Sequence, residues 1–211
     1  MIREPIRRRK RLRLEHYDYA RAGAYFVTVS LQNCLPLFGE VLEGEMRLND
    51  AGEMVHAWWD KLPEKYPNVH TDAFIIMPNH IHGIIIIHNV EATPRGRPNA
   101  DGTKRPSELT ANHGQPHGAA PTDDEKPILG DVVRWFKTMT TNAYIRGVRQ
   151  QHWTPFDKRL WQRNYYEHII RNDNDFEKIR TYINTNPLRW HLDEENPYYG
   201  GRVPTRGTPT R

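Results

Sequence analysis

One stretch limits this chain more than any other: Met77-Pro78-Asn79-His80-Ile81-His82-Gly83, running on into Ile84-Ile85-Ile86-Ile87. A run of β-branched residues after a Pro-Asn turn reads as a buried strand. Side chains two apart on a strand share a face, so His80 and His82 project side by side from a stiff element. Neutral imidazole is a common metal ligand, and a pair held this way can take a divalent ion. The plainer alternative is one ring in the core and the other in solvent. The His-x-His pattern alone leaves both open.

A buried strand needs neighbours, and the rest of the chain supplies them. Ala24-Tyr25-Phe26-Val27-Thr28-Val29-Ser30-Leu31 is aromatic and β-branched, partly alternating, and reads as a strand. Residues 33–49 read as a loop or irregular strand pair, with Leu37 to Val41 the best short strand. Asn49-Asp50 can cap a helix running to about Leu62, with Met54, Val55, Trp58 and Leu62 on one face and Pro63 closing it. Val69 to Ile76 is the next strand, turned by Pro78-Asn79 into the histidine strand. From Ile128 the spacing of Leu129, Val132, Val133, Phe136 and Met139 predicts a helix running towards Tyr144. Arg134, Lys137 and Arg146 lie off that stripe and give the helix a basic side. Asn172-Asp173-Asn174-Asp175 offers several N-caps for a helix over 175–186 that buries Phe176, Ile179 and Ile183. Pro187 ends it and biases Asn186 away from the α region.

Three segments read as lying outside this core. Residues 1–16 form a basic, flexible arm carrying Arg3, Arg7, Arg8, Arg9, Lys10, Arg11 and Arg13 against one acid, Glu4. Such a block suits phosphate tracking, or serves as a solubilising tail. Residues 89–127 are rich in Gly, Pro, Asn, Thr and His and poor in large apolar side chains, so they read as a mobile insertion in a domain spanning 17–192. His113 and His117 fall there and are read as incidental. Residues 193–211 form a Gly/Pro/Arg-rich tail. Lys and Arg number 30 against 26 Asp and Glu, a net charge of +4 that favours a polyanionic partner. No apolar run is long enough for a membrane span, and the basic N-terminus lacks the apolar region of a secretory signal. A lone Cys34 excludes an internal disulfide and fits a reducing cytoplasm.

The late helix offers the second half of a site. Tyr182 and Asn186 stand four residues apart and share a face if the last turn holds. A tyrosine hydroxyl can attack phosphorus, but with a free pKa near 10 it needs an activated electrophile. A metal gripping the phosphate supplies that activation. Asn186 can add a carbonyl oxygen to two imidazoles, a mixed donor set that suits Mg²⁺ or Mn²⁺ better than a closed zinc site. Tyr165 and Tyr166 are rival nucleophiles, but their successors at the same spacing are Ile169 and Ile170. Read from spacing alone, Tyr182 is as well explained as a core residue beside an apolar stripe.

Met77-Pro78-Asn79-His80-Ile81-His82 resembles the HUH motif of the single-tyrosine HUH transposases. Trp161-Gln162-Arg163-Asn164-Tyr165-Tyr166-Glu167-His168-Ile169-Ile170-Arg171 and Tyr182-Ile183-Asn184-Thr185-Asn186-Pro187 resemble two further blocks of the REP-associated branch, in the right order from about Tyr17 to Trp190. The resemblance implies an α+β fold: a ferredoxin-like or RRM-like antiparallel sheet with helices on one face and the histidines on a central strand. It implies a bacterial, cytoplasmic, nucleoid-associated enzyme that cuts and rejoins single-stranded hairpin DNA as monomer or homodimer. His80, His82 and Asn186 would hold Mg²⁺ or Mn²⁺, and Tyr182 would be the nucleophile, leaving a 5′-phosphotyrosine and a free 3′-hydroxyl. The arm residues, with Arg134 and Lys137, are candidate DNA contacts. Trp161, Tyr165 and Tyr166 could stack on bases or pack with Glu167-His168 as a structural clasp. The chief competing reading is a module on the same fold that binds structured single strands without cutting. A metallohydrolase of small phosphoesters is a third, weakened because no Asp or Glu cluster accompanies the histidines in sequence.

Overall fold

The isoleucine-rich strand lies where its composition demands. In the computed structural model, which describes residues 22–88, 127–193 and 196, it forms β5, His80–Ile87, buried at every position but Ile86. Around it stand β1 (Gly23–Ser30), β4 (Val69–Ile76) and β6 (Tyr166–Ile170). All neighbours are antiparallel, and the order is β4-β5-β1-β6. A strand with hydrogen-bonded partners on both edges and covered faces has no use for polar alternation, which is why the sequence shows four isoleucines in a row.

Two crossover helices give the sheet its topology. Helix α1 (Asp50–Asp60) precedes β4, and α3 (Leu129–Gln150) joins β5 to β6. The resulting β-α-β-β-α-β order, with β1 and β5 central, is the ferredoxin-like arrangement. Between β1 and α1 sits a separate hairpin, β2 (Gly39–Leu42) and β3 (Glu45–Leu48). Its two-residue turn holds Glu43 at φ 53° and Gly44 at φ 80°, the double left-handed conformation such hairpins favour.

The faces of the sheet carry different loads. Tyr25, Val27, Val29, Ile81 and Ile85 point to the crossover helices and join Val55, Trp59, Leu129 and Phe136 in the main core. Phe26, Ile84 and Ile170 point the other way and meet Ile183 of α4 (Asp173–Thr185) in a second, smaller cluster. So α1 and α3 share one face, as expected, while α4 is an additional helix on the opposite face, where the histidines point.

Several local expectations needed correcting. Trp59, not Trp58, is the buried tryptophan of α1. Trp58 is half-buried and meets Trp135 edge-on at 5.6 Å. The helix breaks at Lys61, so Pro63 sits in the first turn of a short α2 (Leu62–Lys65), where its missing N–H costs nothing. In α3 the stripe continues through Thr140 rather than Met139. The Thr140 hydroxyl donates to the Phe136 carbonyl and accepts from the Trp161 indole N–H, both at 2.8 Å. Trp161 is 3% exposed, so it packs and cannot stack on bases. Asn186 stays in the α region at φ −57°, ψ −42°, because Pro187 opens a 3₁₀ turn (Pro187–Leu192) instead of stopping the chain.

By contact density the chain divides into residues 1–89 with 127–211, and residues 90–126. The basic arm, the insertion and the C-terminal tail lie outside the described residues. No helix among the described residues is long and apolar enough to cross a membrane.

Gly83 shows how closely the main face packs. A Cβ there would come 2.5 Å from the Trp59 ring, which itself stacks on Phe74 with centroids 4.2 Å apart. Gly83→Ala is therefore expected to lower the unfolding free energy by about 1–3 kcal/mol through overpacking. A urea titration giving the wild-type midpoint would contradict this account of the packing.

Candidate active site

His80 and His82 share the α4 face of β5, one at 0% and the other at 4% exposure. Their Nε2 atoms stand 3.0 Å apart, aimed at each other. Each ring is held from behind. His80 Nδ1–H donates to Asn79 Oδ1 at 2.8 Å, and the Asn79 amide is fixed because Nδ2 donates to the Cys34 carbonyl at 3.1 Å. That bond leaves the His80 lone pair on Nε2. Thr28, directly opposite His82 in the sheet register, places its hydroxyl 2.8 Å from His82 Nδ1. A hydroxyl can donate or accept. When Thr28 donates, His82 can pass its Nε2 proton towards His80. When Thr28 accepts, both Nε2 lone pairs face one point. Burial drives both pKa values down, His82 to about 3, and His80 is depressed further by its neighbour. Both rings are thus neutral, the form that binds metals.

The donor set fits a divalent ion. Two nitrogens about 2.1 Å from one ion at a right angle lie about 3.0 Å apart. A carboxylate oxygen of Asp193 joins the two imidazoles, all three donor atoms lying within 4.8 Å of one another. Asp193 follows the 3₁₀ turn, whose Leu188 packs on the hairpin: a Cβ at Gly44 would come 2.7 Å from its side chain. The sequence shows no Asp or Glu cluster beside the histidines. The structure supplies an acid, from a segment no local pattern connects to His80.

Tyr182 reaches the same place from α4. Its hydroxyl is 3.4 Å from His82 Nε2, its ring meets Phe26 edge-on at 6.0 Å, and it remains 40% exposed. It is therefore not a core residue. It borders an open cleft of about 330 Å³ shared with Lys178, Arg189 and Glu177, whose carboxylate pairs with Arg180 at 2.6 Å. Asn186, one turn later, is 3% exposed, and its Oδ1 is buried with no hydrogen-bond partner among the described residues. An orphaned amide oxygen is costly unless something occupies it.

Helix α4 is clamped from both edges of the sheet. Asn172 caps it by accepting from the Asp175 N–H at 2.9 Å. His168 on β6 donates to Asp175 Oδ2 at 3.0 Å and so joins strand to helix. On the other edge, Arg180 Nε and Nη2 donate to Asp72 Oδ1 and Oδ2, each at 2.9 Å. This fork holds the Asp72 carboxyl below the usual carboxylate range. Asp72 sits where the β4–β5 register shifts, between Thr71 and Phe74; such irregularities re-aim side chains.

The remaining candidates are scattered. Arg7, Arg8, Arg9, Lys10, Arg11 and Arg13 lie outside the described residues. Arg134 is exposed and paired with Asp131 at 3.0 Å. Lys137 donates to the Gln162 and Arg163 carbonyls at 2.6 and 3.2 Å, and burial lowers its pKa to about 8. Tyr166 is 47% exposed beside Phe26. Thr28, Asn79 and Asp193 were missed by sequence reasoning. Thr28 needs the strand register to be seen, and Asn79 had read only as a turn residue.

The chain belongs to one family with a Haemophilus influenzae protein described only as "Uncharacterized protein", 38% identical over 190 residues that cover 90% of this chain and 93% of that one. It is 25% identical over 175 residues to another Haemophilus influenzae protein, the "Putative REP-associated tyrosine transposase", covering 82% of this chain and 74% of the relative. A solved REP-associated tyrosine transposase bound to a REP hairpin aligns over 94% of this chain and 95% of that one, with 20% identity and a TM-score of 0.47. No protein-family model matches the chain.

The buried histidines set a pH dependence. Their folded pKa values lie below the ordinary 6.5, so the unfolded chain binds more protons as pH falls below about 6.5. Stability is full above that value and is lost as pH drops towards 3. In chelator-treated protein the urea midpoint should fall between pH 7.5 and 5.5, above the carboxylate range, and His80→Gln should flatten that fall.

Proposed function

We propose that this protein is a metal-dependent single-stranded DNA nuclease and strand transferase, acting on hairpin DNA through Tyr182. The observation that carries the reading is the meeting of Tyr182, His80 and His82 on one sheet face, with the phenol oxygen 3.4 Å from His82 Nε2. The similarity to a REP-associated tyrosine transposase supports the same chemistry.

His80 and His82 would hold the ion, with Asp193 and Asn186 the candidates for an oxygen ligand. Two nitrogens and a neutral or anionic oxygen suit Mn²⁺ at least as well as Mg²⁺. The ion would polarise the scissile phosphate as a Lewis acid. Tyr182 Oη forms the new bond to phosphorus as the bond to the 3′-oxygen breaks. The phenolic proton leaves on the exposed side, and the 3′-oxygen departs as a hydroxyl by taking one up. The phosphate stays on Tyr182 as a 5′-phosphotyrosine, and because the bond energy is conserved, a 3′-hydroxyl can reverse the step. Lys178 and Arg189 beside the cleft would neutralise flanking phosphates. A bacterial cytoplasm, near the nucleoid, is the compartment such a substrate requires, and all parts of the site come from one chain, so a monomer suffices.

Incubation with labelled single-stranded palindromic DNA and Mn²⁺ should give an adduct that survives denaturation. Tyr182→Phe and chelation should abolish it, and Thr28→Val should cut its rate about 10–100-fold by releasing the His82 ring. Asp193→Ala and Asn186→Ala should differ in Mn²⁺ affinity, the weaker binder naming the oxygen ligand. Chelator-insensitive binding with no adduct across varied hairpins would make the protein a non-cleaving binder.

A further inference from the structure

We propose that the cleft between α3 and residues 156–165, on the sheet face opposite the histidines, binds an unpaired stretch of the same DNA. The identity of the ligand rests on the function proposed above; the cleft itself does not.

A cavity of about 560 Å³ opens there, with Arg134, Lys137, Lys158, Arg159 and Arg163 on its walls and, among the described residues, no carboxylate side chain lining it. These cations are not equivalent. Arg134 is partly neutralised by Asp131 at 3.0 Å, and Lys158 lies 3.9 Å from Asp157. Lys137 is committed to the Gln162 and Arg163 carbonyls, so it shapes the wall instead of meeting a ligand. Arg159 and Arg163 are exposed and form no ion pair among the described residues. The cavity also presents the outer edges of Phe156 and Tyr165, half-buried rings that pack against the main core, Phe156 edge-on to Tyr144 at 5.7 Å. Free guanidinium groups around an aromatic floor match a single strand, whose phosphates lie outward and whose bases can stack. A duplex keeps its bases paired and offers nothing to that floor.

The cleft also leads somewhere. An adjoining cavity of about 520 Å³ shares Lys158 and Arg159, adds the Asp157 carboxylate beside Lys158, and reaches Gln32 and Asn33. The basic wall is pinned to this end of β1, because Gln32 N–H donates to the Leu160 carbonyl at 2.8 Å and Gln162 N–H donates to the Ser30 carbonyl at 2.9 Å. Ser30 pairs with His80 in the sheet. Cys34, the last residue of the 3₁₀ turn Gln32–Cys34 that follows β1, supplies the carbonyl that fixes Asn79 behind His80. The basic cleft thus reaches the end of β1 that pairs with the histidine strand. On this proposal the unpaired flank of a hairpin engaged at Tyr182 occupies the cleft and keeps the DNA bound after the cut.

The test compares Arg159→Ala/Arg163→Ala with a control of equal charge, Arg146→Ala/Arg149→Ala, on exposed α3 positions outside the cleft. Fluorescence anisotropy with a DNA hairpin bearing long single-stranded flanks should show about a tenfold loss of affinity for the cleft pair. Its log–log salt slope should fall by about 1–1.5, two phosphates' worth. The control should change affinity less than twofold. Bromodeoxyuridine in the flank should photo-crosslink within residues 156–165. Equal losses in both pairs, wild-type affinity in the cleft pair, or a loss confined to oligoribonucleotides overturns the proposal. Covalent adduct formation with an unaffected cleft pair leaves the proposed activity standing; cleft-dependent binding without an adduct leaves the cleft standing and removes the activity.

Discussion

Two imidazole nitrogens 3.0 Å apart in a buried, low-dielectric setting cannot both present lone pairs without something positive between them. Most of the local structure is arranged around that constraint. Asn79 fixes one tautomer, and Thr28 leaves the other ring free to adopt either. Phe26 lies stacked under His82 at 5.4 Å and excludes water from below. Burial keeps both rings neutral, so the pair is ready for a cation without first losing protons. A surface His-x-His would have none of these properties, because solvent would satisfy each ring separately.

The division of labour between the sheet's faces follows from that. One face carries the larger core and the two crossover helices, and it supplies most of the burial. The other carries a small apolar cluster under α4, too small by itself to fix a helix to within the fraction of an ångström that chemistry requires. Charged clamps finish the positioning, with His168 holding Asp175 at one edge and Arg180 holding Asp72 at the other. Partly exposed ion pairs add little stability. Their value here lies in register, since a forked guanidinium–carboxylate pair fixes direction as well as distance. Tyr182 is left half open, as the proposed nucleophile for a polymer must be.

A good deal of this was readable from residue order. Strands 69–76 and 80–87 fall where the β-branched runs lie, and 80–87, the central one of the two, is apolar on both faces because both are covered. Asn49 and Asn172 cap α1 and α4 as their side chains suggest. Tyr182 and Asn186 keep their four-residue spacing because the helical path persists to Pro187. The misreadings share one cause. Trp58 and Met139 fitted a helical period as well as Trp59 and Thr140 do, and only the position of the neighbouring element chose between them. Pro63 and Pro187 were read as stops, whereas each begins a new turn, where a missing N–H is harmless.

Local chemistry alone therefore determined the strand that carries the histidines, their common face, and the helix that carries the phenol. Those properties depend on φ/ψ periodicity and on side-chain type, which residue order contains. The tertiary structure alone decided that α4 crosses to the histidine face, that Thr28 stands behind His82, and that Asp193 returns from the 3₁₀ turn to join the pair. Each of these is a meeting of segments separated by fifty to more than a hundred positions. Sheet register and helix docking set such meetings, and no local pattern of residues encodes them.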